Sequence, residues 1–462
     1  MYQEVPQDDR ETLFSSTNDT EEEETAGLMN TWQSMFLMAG VCSSAALLIT
    51  DDFVVSAGIG GILVLCVIVP AVVYTAVLLG RCWNMVRHKW QHERHPYGAI
   101  GYEAFGDVGR SVINFMVAVA SFFGGVGSLV ISAELLFLID EDNFAGLFCY
   151  MPVVFVCFLI PFGLLGTPKD MWQIGALSII SSTMALILLI IGIALADYDE
   201  ELVPSSRNAT DVVSLAPSVA PILSYPLRLV EICGITLFAM DGHISYPTFF
   251  QDMLEPHRST RVAIGAYGYL ISSMILIIVA SYIFIPSDLI TSIASDGNVT
   301  TLLPRSPLTV VPLVFLFIHQ CTVTLTGNNV LFQYMEERLD IPQAFGWRRV
   351  LSRSTILLLE LFVGETIPHF GILSTLIGGI CSPVLIFLAP CLCYIRLRSI
   401  NNPEGFSESK NIWLLETAVC WVIIIFTPIL MSVIVYVTTY SVLKGKTAFT
   451  VPCFVNSTLA HA

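Results

Sequence analysis

The chain has 462 residues, 55% of them hydrophobic and only 13% charged. An ordinary soluble domain carries about 25% charged residues, so this composition excludes a water-soluble protein of this length and makes lipid the natural solvent. The formal net charge of −17 is unevenly spread. Residues 1–30 (MYQEVPQDDRETLFSSTNDTEEEETAGLMN) hold a large acidic excess and almost no apolar periodicity. They predict a disordered, solvated cytoplasmic tail, either a tether or, through Tyr2-Gln3-Glu4-Val5, a sorting signal. No basic region followed by an apolar core opens the chain, so no cleavable signal peptide is expected.

Each lipid crossing takes roughly 20 apolar residues. Runs of this kind cover 32–50, 54–80, 111–139, 147–165, 172–196, 224–250, 262–285, 308–334, 351–367, 369–396 and 412–440. The expected fold is therefore all-α, with about eleven transmembrane helices. The ninth is the weakest, because Glu360 and Glu365 interrupt it.

Basic residues mark the cytoplasmic loops. One set of loops holds Arg81, Arg87, Lys89, Arg94, Arg110, Arg258, Arg261, Arg338, Arg348, Arg349, Arg353, Arg396 and Arg398. The opposite set is acidic, with Asp51, Asp52, Asp140, Glu141, Asp142, Asp199 and Glu200. The N-terminus is then cytoplasmic and the 441–462 tail extracellular or lumenal. Three glycosylation acceptors, Asn208, Asn298 and Asn456, all fall on the outer side. Most of the twelve cysteines lie inside apolar runs as small core residues; Cys149 and Cys453 both lie outside and are placed to form a disulfide.

A channel, an enzyme and a carrier are the classes such a chain leaves open. The cluster His88, His92, His95 has the spacing of a membrane di-iron histidine box, but the other histidines stand alone. A basic cytoplasmic face is the better reading, and no enzyme activity is expected. No repeated charge ring signals a pore.

The stretch Phe238–Met253, FAMDGHISYPTFFQDM, favours a carrier. Gly242 weakens the helix, and Pro247 removes the donor to residue 243. Asp241 at membrane depth costs at least a few kcal/mol unless paired or hydrated. Three costly features in one place predict a discontinuous helix beside a wet site; the alternative is a proline kink with Asp241 and His243 paired to each other. Repeat logic places a matching break in the first span, at Gly40, Val41, Cys42, Ser43 and Ser44. A small-residue helix-packing face explains the same residues.

LFAMDGHISYPTFFQDM resembles the sixth-span signature of the amino acid/auxin permease family. Ile367–Leu397 is similar to the tenth span of its proton-coupled and vesicular inhibitory members, and HPYGAIGYEAFGDVGR (His95–Arg110) to its loop before the third span. The resemblance covers roughly residues 32–440. It implies the LeuT-like fold of the amino acid–polyamine–cation carriers: inverted five-span repeats, here 32–196 and 224–396, with helices 1 and 6 discontinuous, and an extra helix at 412–440. It further implies amino acid transport by alternating access. Gly40–Ser44 would then hold the substrate's carboxylate and amino groups, and Phe238, Asp241, Gly242 and His243 would complete the pocket. The family's G-x-G-x-L-x-L-P first-span pattern is missing, which leaves a non-transporting amino acid sensor as an alternative. Asp241 stands where a neutral residue is usual, which favours neutral or basic substrates.

Asp241, His243 and Glu134 are the candidate proton-coupling groups, and Glu134 is equally a helix-end residue. Glu231 is placed to pair with Arg228. Thr322, Thr324 and Thr326 offer oxygens for a sodium site, or ordinary hydrogen bonds within the bundle. The likeness favours a proton symporter or exchanger over a sodium-coupled one. The expected partners are an amino acid and the lipid bilayer of the plasma membrane or an acidic organelle. No nucleic acid and no cofactor beyond the coupling ion are implied, and the oligomeric state is left open.

Overall fold

The computed structural model of the chain describes residues 28–42, 58–90, 93–139, 148–164, 171–196, 198, 225–286, 306–342, 344–366, 370–401 and 410–443. Within them the backbone forms thirteen α-helices: α1 (Thr31–Cys42), α2 (Ile59–Val86), α3 (Pro96–Ile139), α4 (Met151–Gly163), α5 (Trp172–Leu195), α6 (Tyr225–Ala239), α7 (Tyr246–Gln251), α8 (Ser259–Phe284), α9 (Pro307–Arg338), α10 (Trp347–Thr366), α11 (Phe370–Pro383), α12 (Ala389–Asn401) and α13 (Lys410–Leu443). The only pairing of strand type among the described residues is a bridge between Met29 and Met253. It ties the entry of α1 to the exit of α7 through Met29 N–H to Asp252 O and Leu254 N–H to Met29 O, each 2.8 Å.

Seven helices among the described residues are long and apolar enough to cross a bilayer, where the sequence predicts about eleven spans. The other four predicted spans fall on helices that are short, interrupted or charged. α1 has 12 described residues, α4 has 13, α6 and α7 split one span between them, and α10 carries Arg349, Arg353, Glu360 and Glu365. Those four charged side chains are all buried. Arg349 and Arg353 both pair with Glu336 at the end of α9, at 3.1 and 2.6 Å, so α10 turns four of its five charged side chains inward and leaves only Arg348 exposed. α13 is the reverse case: Trp413, Leu415, Trp421, Ile425, Phe426 and Tyr436 are exposed along it. An apolar helix with so little buried surface belongs against lipid.

The third span begins earlier than the sequence predicts. Residues 96–105 are helical rather than loop, and Gly106, at φ 66°, turns the chain back on itself. A Cβ at Gly101 would lie 2.8 Å from the Gly109 carbonyl, so glycine is what allows the two arms of this hairpin to touch. Tyr97 in the first arm donates to the Leu385 carbonyl at 2.5 Å. That carbonyl sits in a π-turn, Val384–Leu388, which joins α11 to α12 between Pro383 and Pro390. Pro390 has no N–H to give, so the regular helical ladder is interrupted there. Tyr97 satisfies a backbone group that lipid would leave bare.

Helices approach closely wherever glycine permits it, as in other membrane bundles. A Cβ on Gly378 of α11 would fall 1.8 Å from the Gly234 carbonyl of α6, and one on Gly175 of α5 would fall 2.6 Å from the Leu37 Cα of α1. Gly378→Ala is expected to force α6 from α11, a backbone displacement costing about 1–3 kcal/mol. Gly268→Ala meets nothing within 4 Å and serves as its control. Melting of the purified protein in detergent is expected to fall for Gly378→Ala and to match wild type for Gly268→Ala; equal melting of the two refutes the close contact.

Candidate functional site

The predicted sixth span is built in two pieces. Met240 N–H still reaches the Thr236 carbonyl four residues back, Asp241 N–H reaches only Phe238, and Gly242 N–H only Met240. The α-helical ladder is thus lost within one turn. A 3-10 turn, Gly242–Ile244, then leads into α7. Gly242 is required here because a Cβ would lie 2.2 Å from the Tyr246 hydroxyl oxygen. Pro247 acts differently from the sequence-based expectation. It sits in the first turn of α7, where its missing N–H has no helical partner to lose, and starts the second half-helix.

Asp241 lies in this break and lines a cavity of about 110 Å³. Three surfaces enclose it. The break contributes Phe238, Asp241, Gly242, Ile244 and Ser245. α3 contributes Ala120, Ser121, Gly124, Gly125, Ser128 and Ile131, a helical stripe of mostly small residues. α9 contributes Gln320, Val323, Thr324, Gly327 and Asn328, again at helical spacing. Val41 of α1 and Ile377 of α11 complete it. Asp241 is the one charged side chain among these lining residues. Its Oδ1 is buried without a hydrogen-bond partner among the described residues. The Ser382 hydroxyl lies near the carboxyl without closing an aligned hydrogen bond. A buried carboxylate so placed calls for a cationic or hydrogen-bonding ligand.

His243 is not on the cavity and does not pair with Asp241. Its Nε2 lies 3.2 Å from the Thr75 hydroxyl and its Nδ1 3.4 Å from the Tyr267 hydroxyl. Thr75 already directs its proton to the Ala71 and Val72 carbonyls of its own helix, so its oxygen accepts and His243 Nε2–H donates. Tyr267 also reaches the Met240 carbonyl at 3.2 Å, and Tyr246 pairs with Cys42 of α1. This aromatic layer braces the break through residues outside the cavity lining.

Of the first-span candidates among the described residues, Gly40, Val41 and Cys42, Val41 is the one that lines the cavity. Gly40 packs on α5, where a Cβ would meet Gly175 and Ser178 at 3.0 Å. Its carbonyl accepts from the Ser178 hydroxyl at 3.1 Å, and His319 Nδ1 lies 2.8 Å from the same hydroxyl. Here the helix-packing reading of the small residues describes the geometry. Ser43 and Ser44 lie outside the described residues. Glu134 is buried one turn of α3 beyond Ile131, away from the cavity lining. Thr322, Thr324 and Thr326 each donate to a carbonyl of their own helix at 2.6–2.9 Å, and Thr324 is the one that lines the cavity. Cys149 is disulfide-bonded, and ten other cysteines are free. Cys453, Asn208, Asn298, Asn456 and His92 lie outside the described residues, as do the side chains of Arg228 and Glu231. His95 Nε2 pairs with Glu337 at 2.6 Å. No group of three metal-ligating side chains occurs among the described residues.

The cavity-lining residues Ser121, Ser128, Ser245, Gln320 and Asn328 carry no signal that the sequence analysis reads. The run Thr324–Asn329, unusually polar for a span, was the available signal. Glu360 is buried behind Asn328, whose Nδ2 donates to its Oε2 at 2.8 Å.

The chain is 24% identical over 344 residues to the amino acid transporter AVT1D of Arabidopsis thaliana, covering 70% of this chain and 56% of that protein. It is 22% identical over 437 residues to AVT1J of the same plant, covering 90% of this chain and 93% of the relative. The crystal structure of MhsT in complex with L-phenylalanine superposes with a TM-score of 0.54 at 14% identity, over 87% of this chain and 98% of that one. That likeness concerns the fold and agrees with the LeuT-like architecture. Residues 53–440 match the family described as transmembrane amino acid transporter protein, and the chain belongs to that family.

Proposed function

We propose that the chain is a secondary active transporter of amino acids, working by alternating access and coupled to protons, in the plasma membrane or an acidic organelle with its N-terminus in the cytoplasm. The observation that carries this reading is the Asp241 carboxyl, unpartnered at Oδ1 and placed at a helix break on the cavity wall. An amino acid brings an ammonium group that complements it. The hydroxyls of Ser121 and Ser245 and the amides of Gln320 and Asn328 surround the same space and offer hydrogen bonds to the substrate's carboxylate. A second carboxylate on the substrate side chain would face Asp241 unfavourably. Neutral and basic amino acids are therefore the proposed substrates. Asp241 also offers a titratable group to the transport cycle, because a change of access changes its hydration.

The test is uptake of labelled alanine, leucine, lysine and glutamate into liposomes holding the purified chain, with pH and sodium gradients clamped separately. Accumulation driven by the pH gradient is expected, with glutamate the poorest substrate. Ligand-raised melting with no flux for any amino acid would instead mark a sensor, and accumulation that follows sodium alone would displace the proton.

Two substitutions locate the site. Asp241→Asn removes the partner of the substrate ammonium, which costs about 2–5 kcal/mol in comparable buried pairs, at least roughly thirtyfold in affinity. Gly327→Leu places a side chain where a Cβ meets nothing within 4 Å and fills the cavity from α9. Both are expected to abolish uptake with melting close to wild type. Wild-type uptake in either refutes this cavity as the binding site.

A further inference from the structure

Glu360 of α10 occupies an environment that the amino acid site does not explain. Its side chain is wholly buried. Oε2 accepts one bond, from Asn328 Nδ2 at 2.8 Å, and Oε1 has no partner among the described residues. On the side facing α3, a Cβ at Gly125 would lie 2.4 Å from Oε1 and 2.5 Å from Cδ. Glycine at 125 is therefore what admits the carboxyl. Gly125 and Asn328 are themselves part of the cavity wall. This second acid thus touches two residues, one through an amide and one across the bare backbone of a glycine, that also line the cavity.

Among the described residues no cation shares the site. α10 packs on α3, α4 and α9. α4 carries no acid or base. On α3 the nearest buried acid, Glu134, lies about two turns beyond Gly125, and on α9 His319 and Glu336 each lie about two turns from Asn328. Along α10, Arg349 and Arg353 are committed to Glu336, and Glu365 is more than a turn away. A carboxylate at this depth with one amide donor is stable only with a proton or a cation brought to it.

We propose that Glu360 is the residue that carries the coupling proton, taking it from the cavity past Gly125 and Asn328 in one access state and returning it in the other. The proton binds Oε1 as water from the cavity reaches it, and leaves by the same route, so no bond other than O–H forms or breaks. Asp241 then serves chiefly the substrate ammonium. This deepens the transport reading above and rests on it.

The experiment uses the full chain in phosphatidylcholine–phosphatidylethanolamine liposomes loaded with a pH-sensitive dye. The probe is an equimolar mixture of the twenty proteinogenic amino acids, labelled for exchange. Wild type is expected both to acidify the lumen when the mixture is added outside and to exchange label at equal pH. Glu360→Gln is expected to lose acidification by roughly tenfold or more while exchange stays within about twofold. Asp241→Asn is expected to lose both. Acidification by Glu360→Gln at the wild-type rate overturns the assignment and leaves the transport reading standing. Should Glu360→Gln fail to fold, Glu360→Asp decides: acidification with a displaced pH midpoint supports the assignment, and a wild-type pH profile overturns it. If wild type moves no amino acid at all, the transport reading fails, and infrared titration of the protonated-carboxyl band in the same liposomes still judges Glu360. A band that titrates in wild type and is missing in Glu360→Gln supports proton binding there, and identical spectra overturn it.

Discussion

Within a bilayer no water is at hand to satisfy a bare peptide group, and the central break in this chain exists only because side chains take that role. Where the ladder fails at Met240–Gly242, the Met240 carbonyl is taken by both Gly242 N–H and the Tyr267 hydroxyl. His243 is held between Thr75 and Tyr267, and Tyr246 closes against Cys42. The break therefore has two faces. One is an aromatic layer that fixes the backbone. The other is the cavity, into which Asp241 projects. The break is thus braced by hydrogen bonds on one side and borders the cavity on another.

Close helix packing is the second requirement, and it works through the same residue type. Gly234 and Gly378 bring α6 against α11, Gly175 brings α5 against α1, and Gly125 lets a carboxyl from α10 stand beside α3. Buried hydroxyls on the spans, among them Thr75, Ser132, Thr236 and Thr438, donate to carbonyls of their own helices. Asp241 Oδ1 and Ser121 Oγ on the cavity wall, and Glu360 Oε1 behind it, lack partners among the described residues, as do buried polar atoms elsewhere such as Trp83 Nε1 and Ser281 Oγ.

The sequence made the helical class, the order of the spans and the position of the break legible, because each has a local cause: apolar length, or Asp, Gly and Pro within one stretch. The division of labour around the break was not legible. His243 sits two residues from Asp241 yet is off the cavity lining, held by Thr75 and Tyr267, because residues two apart on a helical turn do not share a face. Gly40 packs on α5, a contact that small-residue spacing alone does not distinguish from ligand-binding backbone. The acids of the ninth span seemed to weaken it, whereas α10 turns them into the protein. Asn328 and Gln320 were missed because a cavity wall is assembled from stripes on separate helices, α3 and α9, that no local pattern joins.

The central claim is that helix gives way beside a hydrated, amino-acid-binding space at residues 240–245. Amide hydrogen exchange of the reconstituted protein, followed by mass spectrometry, tests it most directly. The account predicts that peptides covering 240–245 exchange faster than those from α6 and α8, and that an amino acid substrate slows them. Exchange as slow as in those flanking helices, and indifferent to every amino acid, would contradict it.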